Sequence, residues 1–318
     1  MFGKLMNQFY YGKSGKGDYR MEDLPQNRWQ LFLEMLKIRL SGLARLNLLY
    51  MLIWLPALFV GLSSIAQGYS LLLTAAQADP SLQAAATLDA HAYLRGLTIQ
   101  TLLFMIPCIA ITGPFTAGIS YVTRNWARDE HSFVVSDFWD AVKSNWRQGL
   151  SVSIITSFMP IILYVCWIFY GEMASNQVLF VIPQVLCVTL VLLWMCSLLY
   201  LYPLMVTYRL RFRDLLRNGL LLTVGRLPGT LGIKLLSLMP VLIALAVCFF
   251  TSYMEWALLV YTLYYLVFGF SLSRFIGASY ANAIFDRYIN PQIEGAPVGQ
   301  GIYVPDEDDE DSTEGISC

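Results

Sequence analysis

Six apolar runs, each near the length needed to cross a hydrocarbon layer, constrain this chain more than any other feature. They lie near residues 46–67, 97–122, 150–170, 178–206, 230–253 and 256–278. A helix needs roughly 20 predominantly apolar residues to cross a bilayer core, and it must satisfy its backbone N–H and C=O groups internally. Composition agrees: 57% of the residues are hydrophobic and 14% charged, too few charges to cover the surface of a soluble domain of this length. The expected fold is all-α, a polytopic integral membrane protein with six transmembrane helices and cytoplasmic amphipathic or interfacial helices. Only Tyr253-Met254-Glu255-Trp256 divides the last two runs, which reads as a helical hairpin turning at the outer surface.

The distribution of charge sets the expected orientation. The formal net charge is −1, yet six of the acids fall in one run, 306–311 (DEDDED), so the remainder is mildly basic. Lys4, Lys13, Lys16, Arg20, Arg28, Lys37, Arg39 and Arg45 precede the first run. Arg124, Arg128, Lys143 and Arg147 follow the second, Arg209, Arg211, Arg213, Arg217 and Arg226 follow the fourth, and Arg287 follows the last. The opposite connections hold Arg95 together with Asp79, Asp89, Glu172 and Glu255. Lysine and arginine are retained on the cytoplasmic side of spanning helices, so both termini are expected in the cytoplasm and the protein in a plasma membrane. The first 45 residues are polar before any long apolar run, so the first span is expected to act as an uncleaved insertion signal. Three regions result: a cytoplasmic amphipathic segment (1–45), a six-helix transmembrane domain (46–281) and an acidic disordered tail (282–318).

Outside the runs, residues 27–45 (NRWQLFLEMLKIRLSGLAR) place Trp29, Phe32, Leu36, Leu40 and Leu43 at three- and four-residue steps. That is an amphipathic helix, suited either to the inner leaflet or to packing on the cytoplasmic loops. Residues 66–96 form the one sizeable outer loop, with short helices expected in its alanine-rich middle. Residues 136–150 and 212–231 resemble each other, each pairing an early Asp with later arginines, and both read as interfacial helices. Cys108, Cys166, Cys187, Cys196 and Cys248 fall inside apolar runs, and Cys318 is the final residue. None has metal-ligand spacing, and all read as free thiols.

Three stretches carry a resemblance to a family. Residues 37–46 running into NLLYMLIWLP are the first, ITGPFTAGISYVTRNWARDE with DFWDAVKSNWRQGL the second, and ASYANAIFDRYINPQIEGAPV the third. They resemble the YesL-like family of bacterial membrane proteins, which share domain of unknown function 624. The most specific piece runs from Gly113-Pro114 through Trp126 and on to Asp137-Phe138. Proteins of that kind are often encoded near carbohydrate uptake and glycan-degradation systems, so the resemblance implies an accessory role in sugar transport. It carries no established catalytic residues.

Gly113-Pro114, followed by Thr116 and Gly118, stands inside the second run. Proline frees a carbonyl one turn earlier, and broken helices mark substrate sites in transporters; kinked packing at small residues explains the same pattern. Lys234 and Arg274 stand inside the last two runs, where long side chains snorkel to the interface or line an ion or substrate path. The only histidines, His91 and His131, are expected on opposite sides of the membrane, so no catalytic triad or two-histidine metal site can form within the chain. Asp129, Glu130, Asp137 and Asp140 read as a solvated loop face. No catalytic residue, cofactor or metal is expected, and no nucleic-acid partner; the lipid bilayer is the first partner.

Two functions remain open. The leading one is a non-enzymatic accessory component of carbohydrate uptake. It would dock a sugar-transport complex or a membrane sensor through basic inner loops, with Arg124, Arg128, Arg211, Arg213 and Arg217 as the docking residues. The alternative is a sugar or sugar-acid permease in its own right, its path passing Gly113, Pro114, Thr116 and Gly118, with Thr112, Tyr280 and Asn282 nearby.

Overall fold

A computed structural model describes residues 24–77, 83–175 and 177–303. Lys4, Lys13, Lys16, Arg20, Asp79, the acidic run 306–311 and Cys318 lie outside the described residues. The helices are α1 (Arg28–Ile38), α2 (Leu40–Ala76), α3 (Gln83–Trp126), α4 (Val134–Ala174), α5 (Val181–Thr207), α6 (Phe212–Gly225), α7 (Leu227–Phe250), α8 (Met254–Tyr264) and α9 (Phe270–Tyr288). One π-helical turn, Tyr265–Gly269, joins α8 to α9. Among the described residues six helical segments are long and apolar enough to span a membrane: Leu40–Ala76, Ala90–Trp126, Val134–Ala174, Val178–Thr207, Leu227–Phe250 and Met254–Gln292. The fold is the expected all-α one with six candidate spans.

The helices run longer than their apolar cores. The stretch 66–96 is mostly taken up by α2, to Ala76, and α3, from Gln83, in keeping with its many alanines, the best helix formers. Residues 136–150 are not a separate interfacial helix but the first turns of α4, continuous with the third span. Their counterpart is separate: the chain turns at Arg226 (φ −128°, ψ 32°) between α6 and α7. Pro228 then falls in the first turn of α7, where its missing N–H costs nothing. Arg39 (φ −96°, ψ 11°) likewise parts α1 from α2, so the amphipathic segment 27–45 is α1 plus the opening of the first span. Asn27 caps α1, its Oδ1 accepting from the Gln30 N–H at 2.9 Å.

Tight packing concentrates at the end of the bundle that carries the arginines. One cluster joins Leu31 and Met35 of α1 to Leu43, Leu46 and Tyr50 of α2, Ile119, Val122 and Trp126 of α3, Phe138 of α4 and Phe275 of α9. A second joins Tyr200, Leu201 and Leu204 of α5 to Leu215 of α6 and Ile284 and Phe285 of α9. Toward the other end Phe59, Leu62, Ile65, Ile182, Leu190, Phe249 and Phe250 are exposed. Exposed apolar side chains along whole helices belong in hydrocarbon, which solvates them as well as a protein core does.

The first and last described segments meet at the arginine-bearing end. The Tyr303 N–H donates to the Pro25 carbonyl at 2.9 Å, and Arg28 pairs with Asp286. Asp286 also accepts from Asn290 Nδ2 at 2.6 Å and from the Gly299 N–H at 3.2 Å. Gly301, with φ +82°, lies against the Arg128 carbonyl, where a Cβ would come within 3.0 Å of its oxygen. Residues 282–303, assigned to the tail by composition, are therefore part of the bundle. Their partners Arg28 and Arg128 are too distant in sequence for local pattern to reveal.

Candidate functional site

A partly open cavity of about 470 Å³ lies among the spanning segments, within the roughly 300–1,000 Å³ range of small-molecule sites. Tyr50 and Trp54 of α2, Ser120 of α3, Cys196 and Leu199 of α5, Lys234 and Ser237 of α7, and Ser273 and Arg274 of α9 line it. No aspartate or glutamate is among its lining residues. Among the described residues neither Lys234 nor Arg274 takes part in an ion pair. Arg274 lies over the Tyr202 ring, 5.4 Å from its centroid, a contact that only partly offsets a desolvated guanidinium. The Trp54 indole N–H is buried without an acceptor. A smaller crevice of about 300 Å³ between α2 and α3, lined by Phe59, Ser63, Gln67 and Thr101, carries no charge.

One wall of the cavity is set by Asn47, which is fully buried. A π turn widens the helix and leaves carbonyls and N–H groups poorly matched. Asn47 Nδ2 donates to the Tyr265 and Leu266 carbonyls at 2.8 and 2.9 Å. Its Oδ1 accepts from the Phe270 and Ser271 N–H groups at 2.9 and 3.0 Å. Two donors and two acceptor sites are all that an asparagine side chain offers, and every one is used. One and two turns further along α2, Tyr50 and Trp54 meet Phe270, Tyr50 edge-on at 5.6 Å and Trp54 stacked at 5.7 Å. The hydroxyl of Tyr50 reaches Thr116 Oγ1 of α3 at 2.7 Å.

The residues singled out in the second run lie elsewhere. α3 is continuous through Gly113 and Pro114. The carbonyl that Pro114 leaves without a helical donor, that of Ala110, accepts instead from the Ser153 hydroxyl of α4. Gly113 and Gly149 face each other at this crossing; a Cβ on Gly149 would stand 3.0 Å from the Gly113 carbonyl oxygen and from Pro114. Gly118 packs the same way, with Phe138 and Val142 less than 3 Å from where its Cβ would be. Thr116 is buried and donates to the Thr112 carbonyl at 2.8 Å. Asn282 donates to the Arg124 carbonyl at 3.4 Å, and Tyr280 stands beside Gly229 and Tyr200. None of these residues lines the cavity.

The basic residues divide into two groups. Arg124 and Arg128 are drawn inward, each paired with Glu130, at 3.6 and 3.4 Å, and Arg128 also bonds Gln300. Burial, and then the nearby Arg128 charge, hold the Arg28 guanidinium below its ordinary pKa. Arg211, Arg213 and Arg217, at the start of α6, are exposed. Asp137 accepts from the Ser132 hydroxyl at 2.7 Å and from the Phe133 N–H at 2.9 Å, which caps the start of α4. Among the described residues no three His, Cys, Asp or Glu side chains are grouped to hold a metal ion, and the described cysteines are unbonded. Sequence reading found Lys234 and Arg274 and left them either snorkelling to the interface or lining an ion or substrate path. The usable signal was that the last two spans carry one lone cation each.

Residues 43–167 match the family model described as "Protein of unknown function, DUF624". The matched stretch begins in the first turn of α2 and runs through α3 to Trp167 of α4, so it includes the Gly113–Gly149 crossing. Lys234 and Arg274 lie beyond it. No curated protein and no solved structure matches the chain. Over residues 43–167 the chain is thus similar to the DUF624 family, the one to which its resemblance to YesL-like proteins points.

Proposed function

We propose that this protein is a non-enzymatic permease of the bacterial plasma membrane, with both ends of the chain in the cytoplasm, that handles a sugar or sugar acid. The carrying observation is the cavity of about 470 Å³, bordered by five helices and furnished with three serines and two cations. A fully packed interior would have favoured an accessory role; a largely apolar hollow between helices with cations and serines in its wall favours a path for a small molecule. The carbohydrate assignment rests on the family resemblance and the cytoplasmic one on the segregation of lysine and arginine.

The accessory reading retains one supporting observation. Arg211, Arg213 and Arg217 are exposed on one short helix, available to an acidic surface of a transport complex or sensor. One experiment separates the two. Proteoliposomes containing the full chain and loaded with unlabelled glucuronate are expected to accumulate labelled external glucuronate by counterflow. Uptake no greater than in empty vesicles, with a transport subunit co-purifying from native membranes, would instead establish the accessory role.

A further inference from the structure

Lys234 and Arg274 reach one cavity from two different helices, α7 and α9. Each stands inside an apolar span, where an unpaired cation is costly. Two like charges in one low-dielectric hollow also repel each other. Proteins hold such charges inside a membrane when they are paired or when they serve a ligand. Among the described residues no carboxylate lines the cavity, and the four ion pairs all lie elsewhere. The buried Trp54 N–H adds a further donor without an acceptor in the same wall. Among the described residues both charged side chains around this cavity are therefore positive.

We propose that Lys234 and Arg274 form an anion subsite, and that the ligand bears a carboxylate or phosphate held between them. This rests on the reading of the cavity as a small-molecule site and narrows its ligand class. The aromatic side chains of Tyr50, Trp54 and Phe270 provide a surface for its uncharged part. Arginine supplies a planar fork for a carboxylate or phosphate and lysine a point charge. The same chemistry occurs in a soluble sugar acid or phosphate and in the headgroup of an anionic lipid.

The test uses the full chain in nanodiscs of zwitterionic phosphatidylcholine or of anionic phosphatidylglycerol. Glucuronate, inorganic phosphate and neutral glucose are titrated, and binding and the thermal midpoint are read. In phosphatidylcholine, glucuronate or phosphate should bind at least tenfold more weakly to Lys234→Met and to Arg274→Met. Arg274→Lys should recover part of the loss, and glucose should not compete. Binding of the soluble anions identifies a soluble ligand. Failure of the soluble anions, with phosphatidylglycerol raising the midpoint of the wild type and of neither Met variant, identifies a lipid headgroup; both results support the subsite. Without ligand, both Met variants should melt at or above the wild-type temperature, since each removes an uncompensated charge, and this readout also reports that they fold. Glucose binding as well as glucuronate, with the Met variants unimpaired, overturns the subsite while leaving the cavity reading standing. Absence of any binding, together with no effect of phosphatidylglycerol, overturns both.

Discussion

Pro114 has no N–H, so the Ala110 carbonyl depends on a donor from another helix, the Ser153 hydroxyl. The dependence is testable because it is reciprocal. Ser153→Ala should destabilise the protein by about 1–3 kcal/mol, the usual consequence of stranding a buried acceptor. Adding Pro114→Ala should return most of that, because residue 114 then supplies the helical N–H itself. Chemical unfolding of the four proteins in one detergent mixture gives the coupling, and additive effects would show that the two residues act independently. Gly149 makes the same crossing possible by lacking a side chain. Gly149→Leu places atoms where Gly113 and Pro114 already stand and should cost about 1–3 kcal/mol or more, by overpacking. Gly232→Ala, with no neighbour within 4 Å of the new carbon, should stay within about 1 kcal/mol of wild type. Gly113-Pro114 was legible as a special position because proline's chemistry is local. That Gly149 and Ser153 lie across from it was not, since nothing in the sequence fixes which faces of two helices meet.

Among the elements, the π turn Tyr265–Gly269 depends on Asn47 of α2, whose hydrogen-bond partners are 218–224 residues away in sequence. Asn47→Leu leaves four backbone groups of the last span without their partners and should cost about 2 kcal/mol or more. The loss should appear as a lower unfolding midpoint and as faster amide exchange at Phe270 and Ser271. Unchanged exchange there would mean that the π turn holds itself. Six spans were legible because each is a property of one uninterrupted stretch, as hydropathy is. The helix boundaries were less so: residues 136–150 carry polar side chains suited to an interface, yet nothing in them ends a helix, and α4 runs straight on. In the sequence Asn47 has no local partner to mark it, and Lys234 and Arg274 stand in two different runs with nothing to join them. Each becomes a site only when tertiary packing brings its partners together.

For the whole molecule, one span, Leu227–Phe250, separates Arg226 from the Glu255 hairpin, which puts them at opposite ends of the bundle. In a background lacking the native cysteines, Glu255→Cys should react in whole cells with a maleimide that cannot cross membranes. Arg213→Cys should react only after permeabilisation, and the reverse pattern would invert the orientation. If the cavity among these membrane-spanning helices holds water beside its two cations, a cysteine in its wall will meet reagents from the aqueous phase. In the same background, the most direct measurement compares Ser273→Cys, in the cavity wall, with Val260→Cys, which is 64% exposed on an apolar span. Each is treated in membranes with sulfonatoethyl and with trimethylammonioethyl methanethiosulfonate. Ser273→Cys should react, and about tenfold or more faster with the anionic reagent, as fixed positive charge concentrates anions, while Val260→Cys stays inert. With rates taken relative to a free small thiol, a Ser273→Cys as unreactive as Val260→Cys would mean a dry cavity, and one that prefers the cationic reagent would mean that no positive charge governs it.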